Sequence, residues 1–185
     1  RIEISPINMI ADIEVRDAVY REFLNMLKLE SSHRGYLEKL GLLKSSIKNG
    51  LYRSLPKNYI KRRLVAYNLS KKYNLCGIPG VYQEEDFNWC FTGISGILIP
   101  VFDENGLIQG LSIKLDKEFN SSKEIWFSSN DKINGTAARN WILKGNFQKN
   151  TDNIIITNNL LLGNFIRENS DNAIIAFQNI TNSYM

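Results

Sequence analysis

The sequence contains few of the residues that build metal sites and disulfide frameworks. Among 185 residues it has two cysteines, Cys76 and Cys90, and one histidine, His33. A structural zinc site needs four ligands, so these three side chains cannot complete one without a carboxylate. The spacing of the two cysteines indicates no disulfide either, and we expect two reduced thiols in a cytoplasmic protein.

Long apolar runs are also missing. The longest candidates, at 97–102 and 154–156, fall far below the roughly 20 residues that a membrane helix needs. No signal peptide is visible, and we expect no membrane partner. With 43% apolar and 23% charged residues, the composition is that of a globular protein. Because the chain starts with Arg1 and stops at Met185, just after an apolar run, we expect a piece of a larger protein.

Acidic residues are absent from one long segment of the chain. Residues 1–75 carry 15 Lys and Arg against 7 Asp and Glu, whereas residues 76–185 carry 8 against 12. The net charge of +4 therefore hides a basic first half and an acidic second half. The segment 44–72 has no acidic residue and nine basic ones: Lys44, Lys48, Arg53, Lys57, Lys61, Arg62, Arg63, Lys71 and Lys72. Such a segment favours a polyanionic partner.

The first 75 residues are predicted to form a basic helical unit. Apolar residues return every three or four positions over 12–27 and 31–40, a short helical turn is predicted at 45–49, and a basic helix at about 57–73. Ser31 and Ser32 are candidate caps of the second helix. In the basic helix the spacing predicts a buried face made of these apolar residues: Ile60, Leu64, Tyr67 and, as a further candidate, Val65.

Residues 76–185 are predicted to form a mixed α/β unit. Glycine and proline at 77–80 favour a turn, so the boundary is placed at 76–82. Short β-branched and aromatic runs at 87–91, 96–102, 107–115 and 124–128, with Asn105-Gly106 between the second and third, predict an antiparallel β meander. After a Gly-, Ser- and Asn-rich stretch at 128–145, buried strands at 153–157 and 173–177 flank a helix at 160–169, which is a βαβ unit. The predicted fold class is mixed α+β.

The basic segment is the main candidate for a binding site. Lysine and arginine neutralise phosphates, and exposed tyrosines can stack on bases, so single-stranded DNA or RNA is the predicted partner. The candidate contacts are Arg53, Lys57, Lys61, Arg62 and Arg63, with Tyr52 and Tyr59 as stacking residues. The alternative is a solvated helix face whose tyrosines pack inward, Tyr67 above all, and whose positive charge meets the acidic second half.

Outside the basic segment, none of the residue patterns that are typical of catalytic or metal sites predicts catalysis. His33 is interpreted as a surface or capping residue. The acidic cluster Glu84, Glu85 and Asp86 could bind a divalent ion, but consecutive side chains point in different directions, and we favour a plain loop. The segment 77–80 lacks the lysine and hydroxyl residue of a phosphate-binding loop. We therefore predict no metal site and no cofactor within this sequence.

An ordered set of short segments carries a resemblance to a known family. They are ADIEVRDAVY at 11–20, YRSLP at 52–56, GIPGVY at 77–82, GILIPV at 96–101, GLIQGL at 106–111 and WFSS at 126–129, with Leu29, His33 and Leu37 between the first two. In order and spacing the sequence resembles the Toprim-like, primase-associated replication proteins of plasmids, transposons and phages.

The resemblance implies a Toprim-like βαβ unit at 153–185, truncated at its end. In that family the first strand ends in Glu-Gly and a later strand in Asp-x-Asp, and these carboxylates serve magnesium-dependent phosphoryl transfer. Here Asn158 stands at the usual Glu position and Asn159 at the Gly position, and no Asp-x-Asp precedes Met185. An amide takes no proton at neutral pH, so no catalytic residue is assigned. Magnesium is expected only in the parent protein.

Three functions remain open at this point. The favoured one is a nucleic-acid-binding, primase-associated region of a mobile-element DNA replication protein, catalytically degenerate or incomplete within this sequence. The first alternative is an active metal-dependent primase or nuclease whose missing carboxylates lie downstream. The second is a protein-interaction module that docks a replicative helicase.

Overall fold

The structure is a computed structural model that describes residues 9–119, 122–130, 132–149 and 151–178. It has a mixed α+β fold, which confirms the predicted class. The helices are α1 (Ile13–Met26), α2 (Ser31–Lys39), α3 (Lys44–Asn49), α4 (Tyr59–Ser70) and α5 (Leu160–Asn169). The strands are β1 (Arg53–Ser54), β2 (Val81–Gln83), β3 (Trp89–Phe91), β4 (Gly96–Phe102), β5 (Ile108–Phe119), β6 (Ser122–Trp126), β7 (Ile142–Gly145), β8 (Ile154–Thr157) and β9 (Ala173–Phe177).

A four-stranded antiparallel sheet in the order β1-β4-β5-β6 forms the centre of the fold. Every residue of β4 is buried, as its continuous apolar run predicts. The predicted hairpin joins β4 to β5: the Asp103 N–H donates to the Leu107 carbonyl at 2.9 Å, and the Asp103 carboxylate accepts from the Leu107 N–H at 2.8 Å. Gly106 supplies the positive φ of +78° that this turn requires.

One hydrophobic core runs through both halves of the sequence. Phe23 of α1 stacks on Phe127 with ring centroids 5.6 Å apart and meets Phe91 of β3 edge-on at 4.9 Å. Between the halves, the segment 76–82 contains turns with Gly77 and Gly80 at φ +79° and +86°, rather than helix. At the predicted boundary the local structure thus changes from helices to strands, while residues from both sides of it belong to the same hydrophobic core.

The predicted βαβ unit is β8-α5-β9, with its strands parallel and Ile155 opposite Ile174. The sequence did not reveal β7, which lies in the polar stretch 128–145 and pairs antiparallel with β9. The sheet order is therefore β7-β9-β8. The prediction that the strand at 153–157 is buried was wrong: β8 is an edge strand, and Ile154 and Ile156 are 58% and 67% exposed.

The orientation of α4 also differs from the prediction. Val65 is buried as expected, but it shares the inner face with Ala66 and Leu69. The other predicted core residues are instead largely exposed: Ile60 at 74%, Leu64 at 57% and Tyr67 at 51%. Both sets have helical spacing, so the pattern alone could not choose between them. Packing against β3 turned the second set inward.

Two smaller predictions concern helix caps and thiols. The candidate caps Ser31 and Ser32 lie inside α2, whose N-cap residue is Glu30, and no side chain caps it. In α4 the Asn58 side chain accepts the Lys61 N–H at 2.9 Å. Both cysteines are free thiols, as expected. Among the residues that the structure describes, no helix combines the length and the apolar character needed to cross a bilayer.

Candidate nucleic-acid interface

The acidic cluster of the second half neutralises part of the basic helix. Arg63 donates to Asp86 at 2.6 Å and lies 3.4 Å from Glu84, while the Tyr59 hydroxyl donates to Glu84 at 2.6 Å. The hydrogen bond to Asp86 raises the pKa of Arg63 above its ordinary value. Within the described ranges no three His, Cys, Asp or Glu residues are grouped to hold a metal. The acidic cluster is an ion-pairing loop here.

Other predicted contacts are also engaged by the protein. Lys57 pairs with Asp116 at 3.5 Å. Arg62 donates to the Lys57 carbonyl at 2.7 Å and, like Arg63, lies over the Tyr59 ring. Tyr59 is 44% exposed, so part of its side chain remains open to solvent. Lys61 is exposed and has no ion pair with a described residue.

Tyr52 does not have the stacking role that the sequence predicts. Its side chain is only 1% exposed, and burial raises its pKa well above the ordinary value. A ring enclosed by the core has no free face for a base. Tyr52 is instead a core residue. This agrees with the alternative interpretation of the basic segment, in which the tyrosines pack inward.

Five cations converge in a groove that the sequence did not single out. The groove lies between the end of α1, helices α2 and α3, and strand β1, and has a volume of about 570 Å³. We call it the basic groove, and its lining residues are Leu27, Lys28, Leu29, Arg34, Lys44, Ile47, Lys48 and Arg53. Only Arg53 was a candidate contact. Lys44 and Lys48 belong to the basic segment, but Lys28 and Arg34 lie outside it, so only the fold brings all five together.

Arg53 is the most ordered cation in the basic groove. Its Nε donates to the Leu24 carbonyl at 2.9 Å and its Nη1 to the Tyr52 carbonyl at 2.8 Å. Partial burial lowers the pKa of Arg53, which still carries its charge at neutral pH. No described residue bonds to Nη2. The guanidinium is therefore held in place with one nitrogen free for a ligand.

His33 was wrongly interpreted as a surface or capping residue. The ring is only 8% exposed, and its Nε2 donates to Asp116 at 2.7 Å. In the neutral ring Nδ1 then accepts from the Ser54 hydroxyl, also at 2.7 Å. The Ser54 oxygen in turn accepts the Glu30 N–H at 2.7 Å. This hydrogen-bond array joins α2, β1 and β5. Ser54 is buried within it, so its hydroxyl has a structural role and is not exposed as a nucleophile would be.

Asp116 anchors the other end of this array. Partial burial raises its pKa, but hydrogen bonds from Ser95 and His33 and the nearby charge of Lys57 outweigh that effect. The pKa of Asp116 consequently lies below its ordinary value. The carboxylate is ionised at neutral pH and is bound by donors of the protein itself.

The structure places an amide where the resemblance expects a catalytic carboxylate. Asn158 is exposed at the end of β8, and the Asn159 side chain caps α5 by accepting the Leu162 N–H at 3.0 Å. Asparagine is a common helix cap, so Asn159 has a structural role. Among the residues that the structure describes, no three His, Cys, Asp or Glu residues are grouped around this turn.

An apolar stripe on α4 is a second exposed feature that the sequence did not predict. Tyr59, Ile60, Leu64 and Tyr67 line a shallow groove of about 370 Å³ together with Trp89 and other residues of the β2–β3 region. We call it the α4 stripe. Three of these residues, Ile60, Leu64 and Tyr67, were predicted to be core, which is why sequence reasoning did not identify this surface.

The fold resembles those of primase catalytic regions. One match is the RNA polymerase domain of Mycobacterium tuberculosis primase DnaG, which was solved with a double-stranded DNA oligomer that has a 6-nucleotide overhang. The TM-score is 0.68 and the sequence identity 8%, and the match covers 94% of this chain and 56% of that domain's chain. An Aquifex aeolicus primase comprising zinc-binding and RNA polymerase domains matches at 0.63, with 11% identity over 90% of this chain and 42% of its own. A DnaG primase catalytic domain bound to single-stranded DNA matches at 0.54, with 14% identity over 89% and 54%.

These similarities are seen in structure alone. No protein-family model and no curated protein sequence matches this chain. The chain spans about half the length of the primase structures it matches. It therefore shares the fold of primase RNA polymerase domains.

Proposed function

We propose that this chain is a nucleic-acid-binding region of a primase-type DNA replication protein. The supporting observation is that six of the nine cations at 44–72 form no ion pair with a described residue, on a fold shared with two proteins solved with DNA. The six are Lys44, Lys48, Arg53, Lys61, Arg62 and Lys71. A single strand is the proposed ligand, since this surface presents cations for phosphates together with the partly exposed ring of Tyr59.

Further parts of the proposal rest on the sequence. From the resemblance we propose that the parent protein belongs to a mobile genetic element and uses magnesium for its chemistry. From its two expected reduced thiols we propose that it acts in the cytoplasm. We also propose that the chain itself is catalytically silent, because Asn158 stands where the carboxylate is expected. The first alternative, an active primase or nuclease completed by downstream residues, would require those residues for activity.

A labelled 20-nucleotide single strand should bind the protein at low salt, with micromolar affinity and little sequence preference. Because phosphate contacts release counterions, binding should weaken steeply between 50 and 200 mM salt. Fluorescence anisotropy measures both the affinity and the salt slope. Absence of binding at tens of micromolar protein in low salt would contradict the proposed function.

The protein should show no magnesium- or manganese-dependent primer synthesis or nicking. The Asn158→Glu variant should also be inactive, because one restored carboxylate still leaves a metal without its other ligands. Gel-based extension and nicking assays measure both activities. If the unmodified chain were active and lost that activity on changing Glu84, Glu85 or Asp86, the metal site would lie in the acidic loop. The proposal that the chain is catalytically silent would then be wrong.

The α4 stripe favours the alternative of a module that docks a replicative helicase. Monomeric proteins seldom leave such an apolar surface contiguous and exposed unless it binds something. The anisotropy measurement separates the two candidates, since a pure docking module has no reason to bind a single strand. If the protein binds a replicative helicase but is not retained on a DNA column, the docking function is favoured.

A further inference from the structure

The basic groove and the α4 surface are two different places on the molecule. The groove is formed by α1, α2, α3 and β1, whereas most of the contacts that the sequence suggested lie on or just before α4. We propose that the basic groove is where the protein grips the phosphates of a single-stranded nucleic acid, with Arg53 as its fixed contact. This inference rests on the proposed function and names the site within it.

Charge balance distinguishes the basic groove from α4. Five cations line it, no carboxylate does, and none of the five forms an ion pair within the described ranges. On α4, by contrast, Arg63 is neutralised by Glu84 and Asp86. Like charges gathered in one concave place repel one another and raise the local potential, which a bound polyanion relieves. The positive charge of the groove is thus not compensated by any residue of its lining.

Arg53 gives this groove a preorganised contact. Its two hydrogen bonds to main-chain carbonyls fix the guanidinium before any ligand arrives. The entropy cost of ordering an arginine side chain is then already met by folding, which favours binding. A guanidinium also matches the geometry of a phosphate, and charge-assisted hydrogen bonds to phosphate are strong. Lysine at this position would keep the charge and lose that geometry.

The arrangement on α3 suits a row of phosphates. Lys44 and Lys48 are four residues apart, so they lie on one face of the helix and about 6 Å apart along its axis. That separation is comparable to the distance between successive phosphates in an extended strand. Both side chains are exposed and line the same wall of the groove. Two phosphates of one strand can therefore be bound together.

The lining also indicates which part of the ligand is recognised. Its apolar residues, Leu27, Leu29 and Ile47, are aliphatic, and no aromatic ring is present for a base to stack on. Recognition is therefore of the phosphate backbone and independent of base sequence. A magnesium-bound nucleoside triphosphate offers the same phosphate chemistry, but no carboxylate of the groove would hold its metal.

The test compares matched double variants of the full chain. Lys44→Gln/Lys48→Gln removes two charges from the groove. Lys61→Gln/Lys71→Gln removes one charge from α4 and one from its C-cap, and we call it the α4 variant. Lys39→Gln/Lys117→Gln removes two charges that lie outside both surfaces and is the control. We expect the groove variant to bind a 20-nucleotide single strand at least tenfold more weakly at 100 mM salt. Its log–log salt slope should flatten by about 1.4, which is two contacts at 0.7 each. The Lys39/Lys117 control should change affinity less than threefold.

Two further measurements separate geometry and ligand source. Arg53→Lys, which keeps the charge, should weaken binding about fivefold, and circular dichroism checks that each variant is folded. The groove substitutions should weaken the binding of an abasic strand by the same factor as the binding of oligothymidine, because only phosphates are contacted. ATP with magnesium should compete only weakly with the strand. Stronger binding of ATP than of the strand would overturn the inference in favour of a nucleotide site.

The possible failures are distinguishable. If the unmodified chain binds the strand but the groove variant binds equally well, or if the α4 variant carries the loss, the groove assignment is wrong and the proposed function stands. Equal losses in all three variants would show a diffuse charge effect and would also overturn it. If the unmodified chain binds no strand at all, the proposed function itself fails.

Discussion

Gly80→Ala should lower the free energy of unfolding by about 2 to 5 kcal/mol. Gly80 has a φ of +86°, which costs an L-residue about 1 to 2 kcal/mol. A Cβ atom there would also overlap the ring of Phe127, which is fully buried. That ring is packed against Phe23 and Phe91, so it cannot move aside cheaply, and overpacking adds about 1 to 3 kcal/mol.

Gly106→Ala is the matched control for this prediction. Gly106 has a similar φ of +78°, but a Cβ there would meet nothing within 4 Å. Its cost should be the backbone cost alone, about 1 to 2 kcal/mol. Urea unfolding of the three proteins measures both effects. Equal destabilisation by the two variants would show that Phe127 yields and that the close approach at Gly80 has no energetic weight.

His33→Ala should lower the free energy of unfolding by about 3 kcal/mol. The variant loses the hydrogen bond to the Asp116 carboxylate and the one to Ser54, and it leaves a cavity between α2 and the central sheet. Ser95→Ala, which removes a single hydrogen bond to Asp116, is the control and should cost about 1 to 2 kcal/mol. A change below about 0.5 kcal/mol for His33→Ala would indicate the surface role that the sequence suggested.

The dependence of stability on pH tests the same array. The pKa of Asp116 is lower in the folded state than in the unfolded chain, so the folded protein binds its proton less tightly. This contribution to stability is present above the unfolded pKa, about 3.9, and is lost as the pH falls through the lower folded value. Asp116→Asn should therefore be less stable near neutral pH and should lose less stability in acid. Parallel acid profiles for the two proteins would contradict this assignment.

Local patterns predicted the elements whose signals lie within a few residues. The helix at 160–169 and the strands at 96–102 and 173–177 have the predicted bounds, and the Asn105-Gly106 turn forms the predicted hairpin. The strand β1 was not predicted because two residues carry no periodicity, and its partner, β4, lies more than forty residues away. β7 was hidden in a polar stretch for the same reason, since its pairing with β9 defines it.

The candidate site was predictable only in part. The charge run named Lys61 and Arg53 as candidate contacts, which stays a prediction, but it could not show that Arg63 meets the acidic loop. It also omitted Lys28 and Arg34, whose place in the basic groove depends on how α1 and α2 pack. His33 was misjudged because its partners, Ser54 and Asp116, are 21 and 83 residues away.

The sequence by itself determined the class of fold, the helix–hairpin–βαβ order of the elements and the excess of positive charge in the first half. These properties follow from composition and from periodicity within one element. Only the tertiary structure decided which face of α4 is buried, that β8 is an edge strand and which cations share a groove. Burial and charge pairing depend on contacts between distant segments, and a pattern within one segment contains no information about its neighbours.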